Sequence, residues 1–295
     1  MSRRKTVIFL GDGMADEPLA ELGGKTPLQF ARTPGMDRIA REGRSGTLLT
    51  LPAGFPTSSE VANMSVLGCD LPTEYCGRGA LEAAGRGVKL GPDDTAFRIN
   101  LTTVEDGILK DFSGGRVTQA NAVILIQALN DHFGSDKIRF YPGVSYRNIL
   151  VLSGSEYSAK VKADKPDDCH GEPLANHVPK ADGLQGEVTA ALLRKLMTEA
   201  AAVLAAHPVN LRLKAEGKAV ANGIWPWSGG KVGAFRKVKD KYGIHGAVIS
   251  AVDVIMGLGR CLGMDAIAVP GATGYIDTNY EGKAAAAIEA LKTHD

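Results

Sequence analysis

A carboxylate and a hydroxyl, each placed where an apolar run gives way to a turn, are the groups in this chain best suited to chemistry. Val7-Ile8-Phe9-Leu10 stops at Gly11-Asp12-Gly13-Met14-Ala15-Asp16. Four apolar residues bounded by glycine suit a central strand of a parallel sheet, and open α/β sheets bind ligands beyond the carboxyl ends of their strands. Asp12 then stands where a site forms, as a ligand for a hard or borderline divalent cation. The alternative is that it caps the turn, because Gly-Asp-Gly is also ordinary turn chemistry. Ser59 lies in Pro56-Thr57-Ser58-Ser59-Glu60, between a strand-like run and a helix-like one. A hydroxyl there feels the positive end of the helix dipole, and the free N–H groups beside it bind anions. A metal held by Asp12 would lower its pKa and produce a nucleophile. The alternative is an N-cap serine.

Other polar groups are candidates for holding an anion. Arg78, Arg98 and Arg147 fall near turns or within strand-like runs, and a guanidinium recognises phosphate or carboxylate through two parallel hydrogen bonds; each also reads as a surface or ion-pair residue. Gly77-Arg78-Gly79-Ala80-Leu81-Glu82 fails the dinucleotide fingerprint at its last position, and no Walker A sequence occurs. The six histidines show no His-x-x-x-His spacing. His170 and His177 share a polar loop with Asp167 and Asp168, which reads either as a metal cluster or as a solvated loop. Trp225-Pro226-Trp227-Ser228-Gly229-Gly230 reads as a packing stretch ending in a turn, or as a sugar platform.

These groups must be positioned by alternating elements. Thr26-Pro27 and Thr33-Pro34 are helix starts, each a cap followed by proline, and the second helix closes at Gly43. Thr47–Leu51 reads as a strand, and 59–68 as a short helix. Beyond Cys76 the pattern changes: strands at Ala96–Val104 and Ile108–Phe112 flank Glu105-Asp106-Gly107, a hairpin signal. A helix from Thr118 to Phe133 aligns Ala122, Ile126, Leu129 and Phe133 on one face. Strands near 138–141 and 146–152, a polar loop from Ser153 to about Gly186, and a helix from Glu187 to Ala206 follow. Strand, helix, strand, helix then resume at 247–250, 251–262, 266–269 and 281–292. The reading is α/β, with a parallel-sheet domain from residues 1–75 and 217–295 interrupted by an α+β domain at 76–216.

Bulk properties exclude several classes. A formal net charge of +1 over 295 residues has no polyelectrolyte character, so neither nucleic acid nor an anionic membrane is expected as a partner. The apolar run after the basic start is too short for a signal peptide, and no window approaches a membrane span. Cys69, Cys76, Cys169 and Cys261 form no Cys-x-x-Cys pair, so reduced thiols and a cytoplasmic location are expected.

Taken in order, these segments resemble one family, the cofactor-independent phosphoglycerate mutases of the archaeal type, within the alkaline phosphatase superfamily. The likeness is carried by Gly11–Asp16, Lys25–Leu28, Pro34–Arg38, Ser59–Gly68, Gly77–Gly85, Ala96–Leu101, Tyr141–Arg147, Gly246–Asp253 and Gly271–Tyr280. It implies a phosphatase-like domain with an inserted domain, and interconversion of 3-phosphoglycerate and 2-phosphoglycerate through a phosphoserine. Asp12 would be a metal ligand and Ser59 the nucleophile, itself touching metal. Arg98 and Arg147, with Arg78 and His245, would contact substrate. Two divalent cations, manganese or magnesium, and no organic cofactor are implied.

Three departures from the family pattern stand out. In the family, later strands and loops carrying Asp and His complete the two-metal shell, and this sequence stops at Asp295 without them. The resemblance therefore implies a phosphatase-like sheet incomplete at its C-terminal side, weak metal binding and no turnover by residues 1–295. His245 and Met256 stand where the family often has lysine. Lys165-Pro166-Asp167-Asp168 replaces a loop that carries a histidine. Two other readings remain: a different phosphomutase or phosphomonoesterase of the superfamily, and a non-catalytic protein that binds a phosphometabolite.

Overall fold

In the computed structural model, which describes residues 5–295, the chain divides into two compact units, Met1–Leu71 with Asp295, and Pro72–His294. The first unit contains helix α1 (Pro34–Glu42) and helix α2 (Ser59–Val66). Thr26 closes a capping box with Gln29 over the single turn Pro27–Phe30, as the Thr-Pro signal requires. The expected strands at 7–10 and 47–51 carry no ladder among the described residues. Their side chains lie open, with Phe9 80% and Leu49 76% exposed. The apolar pattern gives a strand its composition, but a strand exists only when a neighbour takes its N–H and C=O groups.

The second unit begins with helix α3 (Arg78–Gly85), then strands β1 (Asp94–Glu105) and β2 (Ile108–Asp111). Helix α4 (Gln119–Phe133) leads to β3 (Ile138–Val144) and β4 (Arg147–Ser153), then helix α5 (Glu187–Ala206) and strand β5 (Gly223–Lys231). Between β1 and β2, Asp106 and Gly107 both take positive φ (51° and 74°), the backbone of the tight hairpin turn that the sequence signalled. Thr118 accepts a hydrogen bond from Asn121 N and caps α4.

These five strands form one antiparallel sheet ordered β2-β1-β4-β3, with β5 also paired to β1. β5 lies beyond the boundary expected near Gly217. It pairs with β1 from Thr95–Lys231 to Thr102–Gly223, so the sheet runs through that boundary and the α+β part extends to Lys231. The Trp-Pro-Trp stretch lies within β5, with Trp225 and Trp227 packed in the interior. Pro226 is tolerated because β5 lies at the edge of the sheet and pairs only with β1.

Alternation along β1 separates core from site. Phe97, Ile99 and Leu101 point to one face, where Leu125, Ile126 and Leu129 of α4 and Leu193, Leu196, Ala200 and Leu204 of α5 complete the main core. The opposite face carries Ala96, packed with Ala83 of α3, and Ile149 and Val151 of β4. By the same period of two, Arg98 and Asn100 share that opposite face.

The unit closes with β6 (Ala247–Ile249), helix α6 (Asp253–Cys261), β7 (Asp265–Ile267) and helix α7 (Tyr280–Ala290). β6 and β7 are parallel and joined through α6, a βαβ unit; parallel pairing is confined to these two short strands among the described residues. α6 docks on α3 backbone to backbone. A Cβ on Gly257 would lie 1.8 Å from the Leu81 carbonyl oxygen, and one on Gly85 2.1 Å from that of Asp253. Arg86 and Asp253 form an ion pair across the junction at 2.9 Å, and Arg260 donates to the Ala84 and Gly85 carbonyls. No described helix is long and apolar enough to cross a membrane.

Candidate active site

In the first unit, Asp12 occupies a turn whose Gly13 takes φ 70°. Ser59 is the first residue of α2, and Ser58, extended at φ −154°, holds the cap position. The Ser59 hydroxyl donates to Asp12 Oδ2 at 3.1 Å across 47 residues of sequence. Ser59 is thus not engaged as a cap, and its hydroxyl is oriented by the carboxylate named with it. Asn63 Nδ2 donates to the Ser59 carbonyl at 2.8 Å, which fixes the first turn of the helix.

The two oxygens suit a hard cation. Ligands about 2.0–2.1 Å from a magnesium ion and adjacent on an octahedron lie roughly 2.9 Å apart, close to the 3.1 Å found here. Both are oxygen donors, the ligand type that magnesium and manganese prefer. Among the described residues, no cluster of three His, Cys, Asp or Glu ligand atoms includes Asp12.

In the second unit the arginines gather on the α3 face of the sheet. Arg98, 5% exposed, donates from Nη1 to Glu82 Oε1 at 3.1 Å. Arg78, one helical turn before Glu82, donates from Nε to the same oxygen at 2.7 Å. Trp227 of β5 lies under the Arg98 guanidinium, 4.7 Å from ring centroid to Cζ, and its Nε1 donates to Asn100 Oδ1 at 3.1 Å. Arg147 stacks over Tyr146 at 4.3 Å.

Burial depresses the Arg98 pKa; Glu82 partly restores it, and the charges of Arg78 and Arg147 depress it further. The Tyr146 hydroxyl is held above its ordinary range, by burial first and against the pull of Arg147. Two guanidiniums, those of Arg78 and Arg98, thus share one carboxylate with a third, Arg147, acting on Arg98 through its charge, and Arg98 Nε is buried without a hydrogen-bond partner. A buried donor left unpaired is costly, and an excess of buried positive charge attracts an oxyanion. Gly79 makes the arrangement possible, since a Cβ there would lie 2.3 Å from the Ala96 carbonyl oxygen and push α3 off the sheet.

Of the residues singled out in the sequence, Asp12 and Ser59 meet in one unit, and Arg78, Arg98 and Arg147 gather in the other. His245 lies beside the β6–β7 pair. Its ring stacks on His294 at 4.5 Å and its Nε2 lies 3.4 Å from Asp265 Oδ2. Met256 is buried in α6 and 8% exposed. Glu82, Tyr146 and Trp227 were missed. Arg78 and Glu82 four residues apart signal a helical pair, but nothing local shows that Arg98 shares the carboxylate. No disulfide joins any of the four cysteines.

Phosphate-transfer enzymes of mixed α/β architecture are the class that a helix-terminal serine on a carboxylate and a buried arginine cluster suggest. Comparison with known proteins agrees. A family model described as 2,3-bisphosphoglycerate-independent phosphoglycerate mutase matches residues 40–210. A protein of that name from Methanosarcina acetivorans is 49% identical over 291 residues, which cover 99% of this chain and 72% of the relative. One named phosphoglycerate mutase 2 of the same kind, from Methanothermobacter thermautotrophicus, is 47% identical over 295 residues, 100% and 71% of the two chains. A solved structure from Pyrococcus horikoshii superposes with a TM-score of 0.75 at 30% identity, covering 96% of this chain and 66% of that one. A cofactor-independent phosphoglycerate mutase from Thermoplasma acidophilum gives 0.60 at 32% identity, covering 96% and 73%. The chain belongs to the 2,3-bisphosphoglycerate-independent phosphoglycerate mutase family, a family of isomerases.

Proposed function

We propose that this chain carries the phosphoryl-transfer machinery for interconverting 3-phosphoglycerate and 2-phosphoglycerate, with Ser59 as the nucleophile. The observation that carries the reading is the Ser59–Asp12 hydrogen bond at 3.1 Å, made by a serine that leaves the helix cap to Ser58. Asp12 and Ser59 are the residues that would hold a divalent cation. Such an ion supplies charge neutralisation at the phosphoryl group and a lowered hydroxyl pKa.

The remaining steps belong to the chain's own side chains. Asp12 orients the Ser59 oxygen and accepts its proton; that oxygen bonds to phosphorus as the phosphorus–oxygen ester bond to glycerate breaks, and the proton passes to the departing glycerate oxygen as its hydroxyl. The N-terminal amides of α2 face the oxygens of the group held on Ser59. Within the second unit, Arg78, Arg98 and Arg147 offer guanidiniums suited to an oxyanion such as a carboxylate, with Trp227 and Tyr146 fixing the planes of two of them. Return of the phosphoryl group to the neighbouring hydroxyl completes the isomerisation, and transfer to water instead would make the protein a phosphomonoesterase.

The test is incubation of the protein with phosphoglycerate and manganese, followed by peptide mass mapping and separate assays for the 2-isomer and free phosphate. A phosphate on Ser59, absent in Ser59→Ala, supports the reading. Label on another residue overturns the assignment, and free phosphate without 2-phosphoglycerate replaces mutase by phosphatase.

A further inference from the structure

The polar loop that follows β4 carries a second constellation, remote in sequence from Asp12 and Ser59. Cys169 Sγ lies 3.5 Å from His177 Nδ1, and the same nitrogen lies 2.7 Å from Asp164 Oδ2. The three ligand atoms lie within 4.8 Å of one another. On its far side, His177 Nε2 meets Glu172 Oε2 at 2.7 Å. We propose that Asp164, Cys169 and His177 form a binding site for one zinc-type divalent cation, with Glu172 as the carboxylate that orients the histidine.

The sulfur–nitrogen distance suits a tetrahedral ion, and the 2.7 Å hydrogen bond between Nδ1 and Asp164 Oδ2 would open to about 3.3 Å as an ion replaced its proton. With a metal–sulfur bond of about 2.3 Å and a metal–nitrogen bond of about 2.0–2.1 Å, sulfur and nitrogen stand roughly 3.5 Å apart. A thiolate, an imidazole and a carboxylate together select zinc or cobalt over magnesium. With an ion bound, Glu172 would keep the Nε2 proton, and the Nδ1 proton now shared with Asp164 would give way to the metal, freeing the Nδ1 lone pair as a ligand. A carboxylate behind a ligating imidazole is the usual second partner of such sites.

The ligands rest on fixed backbone. The Asp164 carbonyl accepts from Trp225 Nε1 at 2.9 Å. The loop hangs on β2 through Gly171 N to Leu109 O, Leu109 N to Glu172 O, and Leu174 N to Gly107 O. Cys169 is 3% exposed, packed with Leu109, Trp225 and Trp227. Asp164, with 60% of its side chain exposed, leaves a side open for a fourth ligand such as water. Burial first, and then the carboxylates of Asp164, Glu172, Asp168 and Asp167, push the Cys169 thiol up to about 11, so a cation must displace the thiol proton to bind there.

An ion here would staple the loop to β2 and β5. That loop brings Asp167 within electrostatic reach of Tyr146, beside Arg98 and Arg147. The cation would thereby position the loop next to the arginine cluster while touching no substrate.

The test uses the full chain, stripped with chelator and titrated with cobalt. One equivalent should produce a thiolate-to-cobalt charge-transfer absorption that zinc abolishes. Oxygen ligands at Asp12 and Ser59 cannot give that band, so Ser59→Ala should keep it and Cys169→Ser should lose it. Glu172→Gln, a substitution at an exposed carboxylate, should keep the band and weaken cobalt affinity about 10–100-fold. No sulfur-derived band at one equivalent, or one that persists in Cys169→Ser, overturns the site and leaves His177 as an imidazolium held between two carboxylates.

Discussion

Replacing Glu82 with glutamine tests the arginine cluster most directly, because it keeps the shape and removes only the charge. The Arg98 and Glu82 side chains are 6% and 8% exposed, so neither charge has water to fall back on. Removing one member of a buried ion pair costs about 3–5 kcal/mol, since the other charge is left uncompensated. Arg78, with 23% of its side chain exposed, can turn toward solvent and adds little. For a unit the size of Pro72–His294, each kcal/mol lowers the melting temperature by about 2–4 °C. Glu82→Gln should therefore melt roughly 6–20 °C below the parent by differential scanning calorimetry. Glu82→Gln/Arg98→Met, which removes both charges, should recover a substantial part of the loss. A fall of less than about 2 °C in the single variant, or a double variant no more stable than the single, would refute the view that Arg98 depends on this carboxylate.

Two further outcomes are expected. Gly257→Ala places a Cβ 1.8 Å from the Leu81 carbonyl oxygen, and backbone cannot yield as a side chain can; overpacking should cost about 1–3 kcal/mol or more in chemical denaturation. Gly35→Ala in α1, where nothing lies within 4 Å, is the control and should be neutral or stabilising by up to about 1 kcal/mol. The hydrogen bond from Lys137 holds the Glu156 carboxyl below its ordinary pKa, and Lys137 is raised in turn. The pair's contribution is present above the unfolded carboxyl pKa and is lost as the pH falls through the folded one. A carboxyl carbon NMR titration should place Glu156 below the usual glutamate midpoint, and Lys137→Ala or high salt should return it upward.

What the sequence discloses follows from how local the cause is. The helix at 118–133 was legible because a 3.6-residue apolar period and a capping threonine lie within the segment itself, and the helix at 187–206 because of its unbroken Ala- and Leu-rich run. The Glu105-Asp106-Gly107 turn was legible because its positive φ values demand particular residues. β5 was not, since Trp225 and Trp227 acquire strand geometry only from β1, far back in the chain. The runs at 7–10 and 47–51 show the converse: strand composition without a ladder. At the site, Ser59 and Asp12 were readable from turn chemistry. The sharing of Glu82 by Arg78 and Arg98 was not, because it depends on which face of β1 meets α3. The contacts of His245 with Asp265 and His294 were likewise not readable, because His294 lies far along the chain.

The pairing of β1 with β5 also sets a schedule for synthesis. Thr95 meets Lys231 in the sheet, so β1 waits on a partner made more than a hundred residues later. At about 5–20 residues per second on the ribosome, that interval is of order 10 s. β4 can pair with β1 well before then, but one edge of the central strand stays open, and long-range strand pairing is intrinsically slow. Trp227, the platform for the Arg98 guanidinium, arrives on that last strand. The nascent chain must therefore carry a charged, unsupported arginine on a half-built sheet, and a chaperone that shields open strand edges would have its longest engagement during that window.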